Sequence, residues 1–255
     1  MIDAVARMLS GCLDARAVMP PTALFCEGWM LRLVLDQLDR NRDVEHVLGF
    51  APGARWYSEA LLASRFLASC RGDVRAEGYT HADGIVGHFT VSPARGEAVL
   101  SPDAQQFIVL EAKMGSPLSA GTKNAPAFDQ AARNVACIAQ VLNSAGVEPT
   151  SVGKLGFYVI APLAQIHCGA FGSLVTKPSI EVKVRQRIAA YAGTFDSWFE
   201  DIFLPTLDHI DLGIIAWEDI LMALPQNAET DELKEFYAQC LQFIPLQKRT
   251  DAAWS

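Results

Sequence analysis

The segment that most constrains the fold is a nearly continuous apolar run that ends abruptly in charge. It extends from Gln106 to Lys113 and reads Gln-Phe-Ile-Val-Leu-Glu-Ala-Lys. Side chains of a strand alternate between two faces, and here both faces are apolar, which is typical of a strand that is buried on both sides. The run therefore predicts the central strand of a sheet that is covered on each face.

Helical and strand patterns alternate around this run. Apolar residues recur at helical spacing in seven segments: 1–16, 23–39, 56–70, 124–143, 180–203, 218–224 and 229–243. Strand patterns occupy 79–91, 106–113, 155–161 and 212–217, and turn residues at 92–103 join the first two as a hairpin. This order predicts an α/β fold, a three-layer α/β/α sandwich with a central mixed β-sheet. Because the chain shows no repeat or interdomain linker, residues 1–255 are expected to form one domain.

Two charged residues share one face at the end of the central run. Alternation places Glu111 beside Lys113, and burying unpaired charge is costly, so the pair indicates a site. On the preceding strand, a hairpin would bring Asp83 close to Glu111. Two simpler interpretations remain open: Glu111 and Lys113 as an ion pair at the surface, and Asp83-Gly84 as a turn that divides the strand.

Polar residues on two helices could face the same place. Glu27 belongs to an apolar stripe with Leu31, Val34 and Leu38, which points its carboxylate at the core. Gln130 and Asn134 lie one turn apart on the helix after the charged pair. Alternatively, Glu27 is an exposed first-turn residue favoured by the helix dipole, and the two amides are ordinary surface or capping groups.

An Asp on one strand followed by Glu-x-Lys on the next resembles the signature of the PD-(D/E)xK, or restriction endonuclease-like, nuclease superfamily. Ala82 replaces the Pro of the signature, and Asn134 replaces the Tyr that follows Gln in one branch of the family. The resemblance covers about 22–161, and 162–255 is then a C-terminal elaboration. It implies a restriction endonuclease-like fold and Mg²⁺-dependent hydrolysis of phosphodiester bonds, with DNA favoured over RNA as the substrate.

The same resemblance implies roles for individual residues. Asp83, Glu111 and the carbonyl of Ala112 would bind Mg²⁺, or Mn²⁺ in its place, with Glu27 as a further acidic ligand. Lys113 would orient the attacking water or stabilise charge that develops on the phosphate. Gln130 would orient Lys113 or a phosphate oxygen.

The basic residues are few, and the chain is acidic overall. Lys123 in the loop before a helix, and Lys183, Arg185 and Arg187 on a later one, are candidate contacts to nucleic acid; the last three also fit a solvated helix face. The net charge of −8 argues against nucleic-acid binding, because phosphate contacts dominate its affinity. A nuclease-fold binding or scaffolding module that relies on a partner is therefore the alternative.

Cysteine usage and hydropathy indicate in which compartment the protein is expected. Six cysteines are scattered without any Cys-x-x-Cys, which is typical of free thiols in a reducing compartment. No signal peptide and no apolar stretch of about 18 residues is visible. We therefore expect a cytoplasmic protein without membrane association, and either a homo-oligomer or a complex with a protein partner is compatible with the sequence.

Overall fold

A five-stranded mixed sheet forms the centre of the protein. The computed structural model describes residues 2–14, 17–68, 70–73, 75–93, 95–121 and 125–244. The sheet contains β1 (Arg55–Leu62), β2 (Thr80–Gly87), β5 (Gln106–Ala112), β6 (Lys154–Ala161) and β7 (Asp211–Ala216), while β3 (Phe89–Val91) and β4 (Ala98–Leu100) form a separate hairpin. The order in the sheet is β1-β2-β5-β6-β7, with β1, β2 and β5 antiparallel and β5, β6 and β7 parallel.

Helices flank this sheet. They are α1 (Ile2–Ser10), α2 (Glu27–Arg40), α3 (Gln130–Ala145), α4 (Leu163–His167), α5 (Lys177–Ala189), α6 (Asp196–Trp198), α7 (Leu204–His209), α8 (Trp217–Ala223) and α9 (Ala228–Phe243), with a π-helical turn over Phe199–Phe203 and 3₁₀ turns over Pro21–Ala23 and Pro149–Ser151. One hydrophobic cluster joins α3, α5 and α7 to the face of β5 that carries Phe107 and Val109. A second joins α2, α8 and α9 to the face that carries Ile108 and Leu110. The mixed α/β class with a central mixed sheet is thus confirmed.

The strand β5 occupies the position predicted for it. Every residue from Gln106 to Ala112 is buried, and β2 and β6 lie on its two sides. Since both faces of β5 contact helices, an apolar residue is needed at almost every position, which explains the unbroken apolar run.

The predicted helix over 56–70 is wrong. This segment begins with the edge strand β1, which pairs with β2 from Arg55↔Gly87 to Leu62↔Thr80. Its apolar residues also fit helical spacing, but pairing with β2 buries Ala60 and Leu62 and determines the outcome. Among the described residues that follow β1, up to residue 79, no helix forms.

Several predicted boundaries move. The strand predicted over 79–91 ends at Gly87, whose φ of 151° and close approach to the Gln106 carbonyl let the chain leave the sheet for β3. The helix predicted from residue 124 begins at Gln130, and residues 122–124 lie outside the described ranges. The helix predicted over 180–203 is interrupted after Ala189. The strands predicted near 155–161 and 212–217 and the last two helices are confirmed. No helix within the described ranges is long and apolar enough to cross a membrane.

Candidate functional site

Glu111 and Lys113 form a buried ion pair at the end of β5. Glu111 is 0 % exposed and Lys113 is 8 % exposed. Lys113 Nζ donates a hydrogen bond to Glu111 Oε1 over 2.6 Å. The two side chains therefore lie side by side on one face, as alternation predicts, and the interpretation of a surface ion pair is wrong.

Asp83 meets this pair from the neighbouring strand. The paired register of β2 with β5 ends at Gly84↔Leu110, so Asp83 is the next residue across from Glu111. Asp83 Oδ2 accepts a hydrogen bond from the backbone N–H of Ala112 over 2.8 Å. Because Asp83 and Gly84 both lie inside β2, the interpretation of a turn at these residues is wrong.

Asp83 lies close enough to Glu111 to affect the pKa of Glu111. Burial raises the pKa of Glu111 to about 8, and the negative charge of Asp83 adds to the rise, while Lys113 opposes it. Two carboxylates, one buried and one half-buried, outnumber the single lysine here, so the site carries an excess of negative charge when both acids are ionised. Such an arrangement is typical of functional sites and favours an added cation.

Two amides of α3 hold the carboxylate of Glu111. Gln130 Nε2 donates to Glu111 Oε1 over 2.6 Å, and Asn134 Nδ2 donates to Glu111 Oε2 over 3.3 Å. The structure thus brings Gln130 to the site predicted for it. It also brings Asn134, which lies one turn further along α3 and for which the resemblance implies no role.

The backbone at the end of β5 is fixed by residues that sequence reasoning missed. Lys113 donates its N–H to the carbonyl of Ile160 over 2.8 Å, and its carbonyl accepts from Trp217 Nε1 over 2.9 Å. Ser119, in the loop after β5, donates from its backbone N–H to Gln130 Oε1 over 3.0 Å. A Trp directly after an apolar strand was a usable signal, because a buried indole N–H needs an acceptor; Ser119 gave none.

The structure does not bring Glu27 to this cluster. Glu27 is the first residue of α2 and is half-buried. Burial raises the pKa of the Cys240 thiol on α9 to about 12, and the charges of Cys26 and Glu27 add to the rise, so Glu27 lies beside α9. Glu27 is not among the charges that raise the pKa of Glu111.

The residue of β1 at the level of Asp83 is Glu59, between the pairs Ser58↔Gly84 and Ala60↔Ala82, and its carboxylate lies 3.4 Å from Arg32. Sequence reasoning missed Glu59 because its segment was predicted to be helical.

The donor set at the site fits a magnesium ion in type and charge. Among the described residues, no group of three or more His, Cys, Asp and Glu side chains is arranged to hold a metal. Mg²⁺ does not require such a group, since it keeps several waters and binds through one or two carboxylates. Asp83 and Glu111, with the carbonyl of Ala112, would supply hard oxygen ligands, and when both acids are ionised Lys113 offsets only one of the two negative charges.

Of the predicted nucleic-acid contacts, the three that the structure describes have acidic partners within the protein. Lys183 Nζ lies 2.6 Å from Asp129 Oδ2, and Arg185 lies 2.9 Å from Glu181 with 54 % of its side chain exposed. Arg187 is 1 % exposed in its side chain and lies 3.0 Å from Glu77, so it offers no surface contact. Lys123 lies outside the described residues.

In comparisons with known proteins, no family model, curated protein or solved structure matches the chain.

Proposed function

We propose that the chain is a Mg²⁺-dependent nuclease of the PD-(D/E)xK type with a restriction endonuclease-like three-layer fold, and that it hydrolyses phosphodiester bonds in DNA. The observation that supports this most is the set formed by buried Glu111 and Lys113 with half-buried Asp83. These residues meet where the antiparallel and parallel halves of the sheet join. An ion pair with a purely structural role would not need a second carboxylate beside it, because a neighbouring like charge is unfavourable.

The residues divide the chemistry among themselves. Asp83, Glu111 and the Ala112 carbonyl would hold Mg²⁺, which Mn²⁺ can replace, and the ion would lower the pKa of the attacking water and polarise the phosphate. Lys113 would exchange part of its contact with Glu111 for a phosphate oxygen and stabilise the charge that develops there. Gln130 keeps Glu111 Oε1 in place. Glu27 has no role in this chemistry because it lies away from Asp83 and Glu111. Arg187 has none because its side chain is buried against Glu77.

A binding or scaffolding module with the same fold is the second candidate. The net charge of −8 favours it, as do the acidic partners that Lys183, Arg185 and Arg187 already have. In that case a protein partner would supply the nucleic-acid affinity. A cytoplasmic location and self-association stay predictions under both candidates.

Cleavage assays separate the two candidates. Purified protein is incubated with labelled duplex DNA, single-stranded DNA and RNA in Mg²⁺, Mn²⁺, Ca²⁺ or EDTA. The nuclease proposal expects cleavage in Mg²⁺ or Mn²⁺ that Glu111→Gln and Lys113→Met abolish. Glu232→Gln, an exposed acid on α9, is the matched control and should retain full activity. Cleavage that survives both site variants would overturn the residue assignment. Absence of cleavage on every substrate would favour the binding module.

A further inference from the structure

We infer that Asn134 is a positioning residue that fixes the orientation of the Glu111 carboxylate. The effect of Asn134 on metal binding rests on the proposed function, whereas its contact with Glu111 does not. Asn134 is 0 % exposed. Its Nδ2 donates to Glu111 Oε2 over 3.3 Å and to the carbonyl oxygen of Gln130 over 3.1 Å.

Backbone groups determine which way both α3 amides point. The N–H of Ser119 can only donate, so it must face Gln130 Oε1, which leaves Nε2 for Glu111. The carbonyl of Gln130 can only accept, so it must face Asn134 Nδ2. Neither amide can turn over without losing its backbone partner. Each oxygen of Glu111 therefore receives one amide N–H from the same turn of α3.

Asn134 contacts the oxygen that the other donors do not. Lys113 and Gln130 both bind Oε1, whereas Asn134 binds Oε2. Without Asn134, neither Lys113 nor Gln130 would hold Oε2, and the orientation of the carboxylate would depend on its contact with Asp83 and on packing. Partners that hold a metal-ligating carboxylate in this way typically change metal affinity 10- to 100-fold when they are removed.

The unpaired oxygen of Asn134 argues against a role in stability alone. Asn134 Oδ1 is buried and has no hydrogen-bond partner among the described residues. An unsatisfied buried acceptor is destabilising, so an apolar residue of the same size would suit the core better if Glu111 did not need the donor. Retention of an amide here is therefore explained by its contact with Glu111.

A double-mutant cycle in EDTA tests the contact without any metal. Unfolding constants are measured in urea for the wild type, Asn134→Leu, Glu111→Met and the double variant. Coupling of about threefold or more between the two changes is expected, since the residues are in contact. Asn134→Ala replaces Asn134→Leu if the latter does not fold. Gln140→Met, on the same helix but bonded to Ser144, should show no coupling to Glu111→Met.

Calorimetric titration with Mn²⁺ tests the consequence. Asn134→Leu should bind Mn²⁺ about 10- to 100-fold more weakly than the wild type, and Gln140→Met should match the wild type. Absence of coupling in EDTA overturns the inference. So does unchanged Mn²⁺ affinity in Asn134→Leu when the wild type binds. If the wild type binds no Mn²⁺, the proposed metal site fails, and the cycle alone then decides whether Asn134 positions Glu111.

Discussion

At the scale of single residues, the surroundings of Glu111 have opposing effects on its pKa. Its carboxylate is buried, three donors contact its oxygens, and Asp83 lies beside it. Burial and Asp83 raise its pKa to about 8 although Lys113 opposes the rise. In the metal-free protein the folded state therefore holds a proton on Glu111 that the unfolded chain releases at about pH 4.5, the usual value for a glutamate.

This difference predicts how stability changes with pH. Between about pH 4.5 and about pH 8 the folded state binds more protons at this residue than the unfolded state, so stability from this group is lost as pH rises through that window. Glu111→Gln cannot titrate. In EDTA, the stability of Glu111→Gln relative to the wild type should therefore increase from pH 4.5 to pH 8, as measured by urea unfolding. A relative stability that does not change with pH would contradict the raised pKa.

Glu59 adds a second residue-scale prediction. Its φ is 56°, a left-handed conformation that costs a non-glycine residue about 1–2 kcal/mol. Its carboxylate lies 3.4 Å from Arg32, but 53 % of the side chain is exposed, so the ion pair adds little. Glu59→Gly should be more stable by about 1 kcal/mol than Glu59→Gln, which loses the same ion pair but keeps the backbone strain. Equal unfolding free energies of the two variants would show that the strain is not there.

At the scale of elements, the start of α3 is what places Gln130 and Asn134 at the site. Asp129 caps the helix by accepting from the N–H of Ala132 over 3.0 Å. Its other oxygen binds Lys183 of α5 over 2.6 Å. One carboxylate thus stabilises α3 and ties it to α5.

Two variants of Asp129 separate these functions. Asp129→Asn keeps a good capping residue and loses the ion pair, whereas Asp129→Ala loses both, and the cap alone contributes about 1 kcal/mol. Chemical denaturation should rank the wild type above Asp129→Asn and Asp129→Ala lowest. If Asp129→Asn proved as unstable as Asp129→Ala, the ion pair with Lys183 rather than the cap would dominate.

Elements differ in how far the sequence determines them. The strand β5 was predictable because burial on both faces leaves an unbroken apolar run, and its terminal charges marked Glu111 and Lys113. The strand β1 is not predictable from the sequence, because its apolar spacing also suits a helix. Its pairing with β2 at the edge of the sheet determines the outcome. The contacts of Ser119, Asn134 and Trp217 with the site depend on where distant segments meet. Local patterns do not contain that information.

At the scale of the whole molecule, negative charge limits how nucleic acid could bind. The net charge is −8, and of the predicted contacts that are described, Lys183 and Arg185 are the ones not fully buried. If these two residues contact phosphates, a plot of the logarithm of the DNA-binding constant against the logarithm of salt concentration should have a slope of roughly −2. Most nucleic-acid affinity would then depend on divalent metal at the site.

Arg185→Gln tests this view of the surface. Fluorescence anisotropy with duplex DNA in Ca²⁺ should show a salt slope that is smaller by about 0.9 than in the wild type. The control is Arg55→Gln, an exposed arginine over Phe89 at the start of β1, where β1 pairs with Gly87 at the end of β2. A reduction in the control but not in Arg185→Gln would place the contact surface elsewhere.

We propose above that Asp83 and Glu111 bind one divalent cation. Anomalous diffraction from a crystal soaked in Mn²⁺ tests it most directly. We expect one strong anomalous peak within bonding distance of both carboxylates, and we expect this peak to disappear in Asp83→Asn. A well-ordered wild-type crystal with no peak between Asp83 and Glu111, or with its peak at other residues, would contradict it.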